Sequence, residues 1–146
     1  MASLPSAILF ACSLNAVRSP MAAAIMKHLL GQRIFVDSAG VRLGEHDPFV
    51  DAVMDEIGID LSKHRIKTFD QLDDDYFDLI ITLSPEAHHK ALAMTRTLAC
   101  DVEFWPTNDA TAVDGNRETR LDAYRNVRDA LLRRIEERFS RPPADV

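Results

Sequence analysis

Short apolar runs alternate along this chain with segments whose apolar residues recur three and four positions apart. The runs have the length and composition of strands buried on both faces; they are residues 7–11, 34–36, 79–83 and 102–105. The segments with helical spacing are residues 20–30, about 48–57, a stretch opening at 85, and 117–139. This alternation predicts an α/β fold in one domain, residues 1–146, with three layers: a doubly wound, four-stranded parallel sheet and helices on both faces.

Local signals predict how the first helix begins and ends. Ser19 is a good N-cap residue, Pro20 suits a first helical position, and Gly31 suits the end. In the last helix, one face carries apolar side chains and is expected to pack inward; they are Leu121, Tyr124, Val127, Leu131, Ile135 and Phe139.

Composition narrows the possible partners. The 146 residues are 47% hydrophobic and 27% charged, with a formal net charge of −6. A negative chain argues against a nucleic-acid partner, and no apolar run reaches the ~18 residues of a membrane helix. Two cysteines, Cys12 and Cys100, are too few for a disulfide framework. No basic residue precedes the short apolar start, so we expect a cytoplasmic protein rather than a secreted one.

The segment between the first strand and the first helix has the composition of an oxyanion loop. It reads Cys-x5-Arg-Ser-Pro and falls at the carboxyl edge of the sheet, where ligands bind in such folds. Backbone N–H groups of such a loop can converge on one tetrahedral anion, and a helix start adds a positive end. The predicted phosphate-binding residues are Ser13, Leu14, Asn15, Ala16, Val17, Arg18 and Ser19.

Three side chains are predicted to do the chemistry. Cys12 would attack phosphorus as a thiolate, and Arg18 would hold two phosphate oxygens with its planar fork. Asp109, in a loop after the fourth strand, would protonate the leaving oxygen; Asp101 and Asp114 are weaker candidates. The alternatives are an inert buried Cys12 with a solvated Arg18, and an Asp109 that only caps a turn.

Other polar clusters carry no comparable signal. His46, His88 and His89 lack zinc-ligand spacing, so neither a metal nor a cofactor is expected. We interpret His88 and His89 as a solvated helical pair, residues 73–75 (three aspartates) as an exposed cluster, and Cys100 as a buried thiol at a strand end.

These residues resemble the low-molecular-weight protein tyrosine phosphatases, a family that also includes arsenate reductases. The likeness spans nearly the whole chain and includes the Cys-x5-Arg-Ser-Pro loop and the segment 37–40, Asp-Ser-Ala-Gly. It implies that Ser38 and His64 support Asn15, and that Asp109 stands where the family has its general acid. The resemblance implies a phosphate monoester hydrolase with a phosphocysteine intermediate. Its substrates would be protein phosphotyrosine or small aryl phosphates, and inorganic phosphate would be the product.

Four departures from the family pattern bear on activity. Leu14 replaces a usual glycine, Val17 a frequent second cysteine, and Ala110 the proline after the acid. The aromatic residues that often wall the phosphotyrosine pocket are replaced by Ala110 and Thr111, which weakens the case for phosphotyrosine. Two alternatives remain: an arsenate reductase using the same loop, although no cysteine follows the third strand at 84–88, and a noncatalytic phosphate-binding module.

Overall fold

A computed structural model describes residues 4–72, 76–96 and 99–139; the aspartates at 73–75 lie outside these ranges. The strands are β1 (Ala7–Cys12), β2 (Phe35–Gly40), β3 (Leu79–Thr82) and β4 (Asp101–Phe104). The α-helices are α1 (Arg18–Leu30), α2 (Pro48–Asp55), α3 (Pro85–Met94) and α4 (Arg117–Phe139). Two 3-10 turns, Phe69–Gln71 and Ala110–Ala112, complete the described elements.

The four strands form one parallel sheet in the order β2-β1-β3-β4. Each residue of β1 pairs with β2, from Ala7 opposite Phe35 to Cys12 opposite Gly40. Because β2 and β3 flank β1 on opposite sides, the chain reverses its direction of winding at β1. The carboxyl end of β1 is therefore the place where such a sheet opens a ligand crevice.

Alternate residues of β1 face two different cores, as a strand covered on both sides requires. Ile8 and Phe10 pack with α1, α2 and α4, whereas Leu9 and Ala11 pack with α3 and the turn at Phe69. The six inward side chains predicted for α4 are all buried. The prediction of a three-layer α/β sheet with helices on both faces is confirmed.

The predicted start of the first helix is wrong. Helix α1 begins at Arg18 after Val17, no side chain caps it, and Ser19 and Pro20 lie inside its first turn. The pattern Ser-Pro suggests a cap locally, but the Ser19 hydroxyl is used by the preceding loop instead.

Two further predictions need correction. His88 is half-buried rather than solvated like His89: its Nδ1 lies 3.0 Å from Thr82 Oγ1, and its ring stacks on Phe104 at 4.8 Å between centroids. Cys100 is only partly buried, just before β4. Among the described residues, no helix is long and apolar enough to cross a membrane.

Candidate active site

The loop from Cys12 to Ser19 turns back sharply at Asn15. Asn15 has φ of 56°, the only left-handed non-glycine residue in the described ranges. This conformation costs an ordinary residue about 1–2 kcal/mol and is tolerated best by asparagine. The turn reverses the chain so that it can wrap a small anion before α1 begins.

Hydrogen bonds to the buried Asn15 side chain hold this conformation. Its Nδ2 donates to Ser19 Oγ and to Ser38 Oγ, both at 2.9 Å, and its Oδ1 accepts from Lys67 N at 3.0 Å. Every polar atom of the amide is thus used, which lowers the cost of burying it. The structure brings Ser38 beside Asn15, as the resemblance implied.

His64 contacts the same residue from outside the loop. Its Nε2 lies 3.2 Å from the Asn15 carbonyl oxygen, which requires a proton on Nε2. Burial lowers the pKa of His64, the Asn15 contact opposes that shift, and Lys67 and Lys27 lower the pKa further. His64 therefore supports the loop as a hydrogen-bond donor that is predominantly neutral near pH 7.

Backbone hydrogen bonds also attach the loop to the segment after β2. Val41 N, Arg42 N and Gly44 N donate to the carbonyl oxygens of Cys12, Ser13 and Leu14 at 2.9–3.2 Å. These bonds use the loop's carbonyl groups and leave its N–H groups available for an anion. That arrangement suits a preorganised phosphate cradle.

The sulfur of Cys12 sits at the mouth of this cradle with Ser19 as its partner. Ser19 Oγ lies 2.9 Å from Cys12 Sγ, and Ser19 N donates to the sulfur at 3.4 Å. Ser19 Oγ also accepts from Asn15 Nδ2 at 2.9 Å and lies 3.5 Å from Ala39 O, so its proton can be donated to the sulfur or to that carbonyl oxygen. Both contacts place polar groups of Ser19 directly at the sulfur.

Arg18 and Asp109 line the same cavity as Cys12, a space of about 290 Å³ at the carboxyl edge of the sheet. Arg18 Nη1 donates to Thr107 O at 3.2 Å, which joins the guanidinium to the loop after β4. Leu14 and Thr111 also line the cavity, and no aromatic side chain does among the described residues. Leu14 is exposed and adopts an ordinary backbone conformation, so the loop accommodates it without strain.

Asp109 also caps a turn, which was the alternative interpretation of this residue. Its Oδ1 accepts from Thr111 N at 2.9 Å and Thr111 Oγ1 at 2.6 Å, while Oδ2 has no hydrogen bond within the described residues. Asp101 begins β4 at the opposite, amino edge of the sheet, so its candidacy as the acid is wrong. Asp114 does not line the cavity.

Sequence reasoning missed two further carboxylates that line the cavity, Asp47 and the exposed Glu45. Asp47 is held in place by hydrogen bonds. Its Oδ1 accepts from Phe49 N at 3.0 Å as the N-cap of α2, and its Oδ2 accepts from Tyr124 OH at 2.5 Å. Burial and this carboxylate raise the pKa of Tyr124. With both oxygens accepting hydrogen bonds, Asp47 is an orienting group for α2 rather than a proton donor. The Asp-Pro pair at a helix start was the signal that could have found it.

Ser84 and Gly40 were also missed. Ser13 Oγ donates to Ser84 Oγ at 3.0 Å, and Ser84 caps α3 by accepting from Ala87 N. A Cβ on Gly40 would lie 2.7 Å from Asn15 N, so only glycine lets β2 end against the loop. The pair Ser84-Pro85 is a recognisable helix start in the sequence. The close contact between Gly40 and the backbone of Asn15 could not be predicted from the local pattern, because it joins two separate segments.

The described residues contain no group of three or more His, Cys, Asp or Glu side chains arranged to hold a metal. Cys100 stands away from the site as well. It precedes Asp101, which aligns through β3 with Ile8, four residues before Cys12. Cys100 is therefore offset by five residues from Cys12, about 16 Å along the strand direction alone, which is beyond the ~7 Å limit between Cα atoms of a disulfide.

A parallel α/β sheet with a Cys-x5-Arg loop at the end of its first strand defines the class of fold to which this chain belongs. A sequence profile described as low molecular weight phosphotyrosine protein phosphatase matches residues 7–140. The chain belongs to that family.

Relatives in this family carry two kinds of name. An arsenate reductase of Halalkalibacterium halodurans is 33% identical over 129 residues, which is 88% of this chain and 91% of that protein. A glutaredoxin arsenate reductase of a Synechocystis species is 33% identical over 136 residues, covering 88% and 92%. The crystal structure of Erwinia amylovora tyrosine phosphatase AmsI shares the fold, with a TM-score of 0.76, 20% identity and coverage of 95% and 96%.

Proposed function

We propose that this protein is a cysteine-dependent phosphate monoester hydrolase acting on aryl phosphates or protein phosphotyrosine. The observation that carries the proposal is one cavity bordered by Cys12, Arg18 and Asp109. A noncatalytic phosphate-binding module would need the loop but not a carboxylate with a free oxygen beside it.

The reaction would proceed in two steps. Cys12 Sγ attacks phosphorus, the bond to the ester oxygen breaks, and Asp109 donates its proton to that departing oxygen. Water then attacks the phosphocysteine, Asp109 accepts a proton from the water, and the thiolate leaves as inorganic phosphate forms. Arg18 and the loop N–H groups stabilise the charge on the phosphoryl oxygens in both steps.

Protein phosphotyrosine is the less favoured of the two substrate types. Among the described residues, the cavity offers Leu14, Ala16 and Thr111 around the phosphate loop, and no ring on which a tyrosine could stack. A missing aromatic pair removes on the order of 1 kcal/mol of binding. Small aryl phosphates, which depend less on such contacts, suit the cavity better.

Arsenate reduction is the second candidate because curated relatives are named arsenate reductases. Arsenate has the shape and charge of phosphate and suits the same loop. Reduction of arsenate to arsenite needs two electrons, and Cys12 has no second thiol within reach in this chain. The reductant would therefore be an external thiol.

One pair of assays separates the two activities. Hydrolysis of para-nitrophenyl phosphate without a reductant, abolished in Cys12→Ser, is the expected result. Arg18→Lys should also be severely impaired, because an ammonium group cannot make the two-pronged contact. Arsenate-dependent oxidation of glutathione and glutaredoxin without ester hydrolysis would overturn the hydrolase proposal in favour of reduction.

A matched control separates loss of chemistry from loss of fold. Cys100→Ser makes the same substitution at the other cysteine, away from the cavity. It should keep wild-type turnover. Phosphate should still protect Cys12→Ser against thermal unfolding if the loop remains intact.

A further inference from the structure

A second cavity, of about 530 Å³, shares no lining residue with the Cys12 cavity. Its apolar lining comes from α1 and the segment after α2 and includes the buried residues Pro20, Ala23, Ala24 and Ile59. His64 also lines it, so this cavity borders the residue that supports Asn15 of the phosphate loop. We call it the His64 cavity.

Positive charge collects at the His64 cavity although the whole chain carries −6. Four cationic side chains line it against two carboxylates, Asp37 and Asp60. The cationic residues are Lys27, Lys63, Arg65 and Lys67.

Both carboxylates already have partners. Asp37 pairs with Lys67 at 2.8 Å, and Asp60 accepts from Ser62 N at 2.8 Å. Lys27, Lys63 and Arg65 have no ion pair within the described part of the chain. Four cations against two carboxylates leave the lining with a net charge of +2 beside an apolar surface, which suits an anion.

Two of these cations lie close enough to His64 to act on the same ring. After burial, the nearby charges of Lys67 and Lys27 lower the pKa of His64, and Asp37 opposes them. Lys27 comes from α1 and Lys67 from the segment before the 3-10 turn at Phe69. Side chains from two separate elements therefore direct their charge to the same ring.

We propose that the His64 cavity binds a small organic polyanion, whose charged groups contact Lys27, Lys63 and Arg65 and whose apolar part lies on Ala23, Ala24 and Ile59. Its volume falls within the ~300–1,000 Å³ typical of small-molecule sites. The site is distinct from the phosphate loop and does not depend on which reaction Cys12 performs.

Occupancy should be detectable at His64. A bound polyanion neutralises the repulsion from Lys27 and Lys67, so the pKa of His64 should rise towards its ordinary value. A protonated His64 keeps Nε2–H donating to Asn15 and adds a charge near the loop. The His64 cavity thus contacts the phosphate loop through hydrogen bonds between Asn15 and three of its lining residues, Ser38, His64 and Lys67.

Metal-free ATP is a suitable probe because it joins an apolar ring to several negative charges. Calorimetric binding is measured in an Arg18→Ala background, which weakens anion binding at the phosphate loop. Lys27→Gln with Lys63→Gln should weaken binding about tenfold. The control pair Lys90→Gln with Arg133→Gln removes the same charge from α3 and α4, outside the cavity, and should leave binding within about twofold.

Two results would overturn the proposal: no binding of ATP once Arg18 is removed, or equal weakening by both pairs of substitutions. A second measurement uses the wild-type chain with vanadate saturating the loop, in case Arg18→Ala fails to fold. The NMR titration of the His64 ring should then move to higher pH when ATP is added, and an unchanged titration contradicts the site. Neither measurement needs turnover, so failure of the hydrolase proposal would leave both interpretable.

Discussion

At the scale of single residues, a test of Asp109 distinguishes a hydrolase from a module that only binds an anion, because only the hydrolase needs a proton donor. Asp109→Asn should lower kcat by ~10²–10⁴ for a phosphate ester with a poor leaving group, because the amide cannot donate the proton. The loss should shrink for phenols that are acidic enough to leave unaided. The measurement is kcat across a series of aryl phosphates of graded phenol acidity.

Glu45 provides the matched control for this series. It is a second exposed carboxylate that lines the same cavity. Glu45→Gln should leave the dependence on leaving group unchanged. An equal loss across all phenols in Asp109→Asn would remove Asp109 from the acid role.

Asn15 permits a separation of backbone and side-chain effects at one position. Asn15→Gly keeps access to φ of 56° but loses the amide's hydrogen bonds, each worth about 1 kcal/mol. Asn15→Ala loses these hydrogen bonds and also the easy access to a positive φ. Its free energy of unfolding should therefore be about 1 kcal/mol lower than that of Asn15→Gly. Urea denaturation of both variants checks the order, and equal stability would mean that the left-handed turn is not strained.

At the scale of elements, α2 and α4 are joined by a cluster of charges around Glu56. Arg125 and Arg128 both donate to its carboxylate, at 2.7–3.1 Å, and Arg128 Nη1 also donates to Val53 O at 2.7 Å. The hydrogen bonds from Arg125 and then Arg128 lower the pKa of Glu56 from 4.5 to about 2. Arg128 is buried, so it depends on these acceptors to satisfy its charge.

This shift predicts a specific acid dependence of stability. Since the folded pKa is depressed, the contribution of Glu56 is complete above its unfolded value near 4.5 and is lost as pH falls through about 2. The carboxylate is more than a third exposed, so solvent screening limits the contribution to about 1 kcal/mol. Glu56→Gln should therefore lower the unfolding free energy at pH 7 by about that amount, and the difference should narrow towards pH 3.

Urea unfolding at both pH values measures this effect. Glu137→Gln, an exposed position on α4 with no ion pair among the described residues, is the control and should change neither value appreciably. A constant difference between Glu56→Gln and wild type at pH 7 and pH 3 would contradict the linkage.

At the scale of the whole molecule, the parallel sheet separates the two cysteines. Cys12 ends β1 at the carboxyl edge, and Cys100 precedes β4 at the amino edge, where burial raises the pKa of its thiol. Oxidation by hydrogen peroxide should inactivate the enzyme without forming a disulfide between them. Intact mass after peroxide should show addition of oxygen, and loss of two hydrogens with an intact fold would contradict the register.

Much of this molecule was determined by local sequence. The apolar runs and the 3.6-residue period predicted every strand and α-helix described, with ends displaced by a few residues. These patterns exist because a strand covered on both faces needs apolar residues throughout, whereas a helix needs them only on the face that it buries. The Cys-x5-Arg loop was predictable for the same reason: a buried strand followed at once by a helix puts the intervening loop at the carboxyl edge.

Tertiary structure decided which polar groups meet. Ser19 was predicted as a cap, but it bonds Cys12 and Asn15 because the loop turns back at a left-handed residue. The residue type alone does not distinguish the three aspartates Asp47, Asp101 and Asp109. Strand register and chain connectivity bring Asp47 and Asp109 to the Cys12 cavity and leave Asp101 at the opposite edge of the sheet. The His64 cavity likewise combines residues from three parts of the chain. Local periodicity determines which face of an element is buried, whereas distances between elements depend on how all the faces pack together.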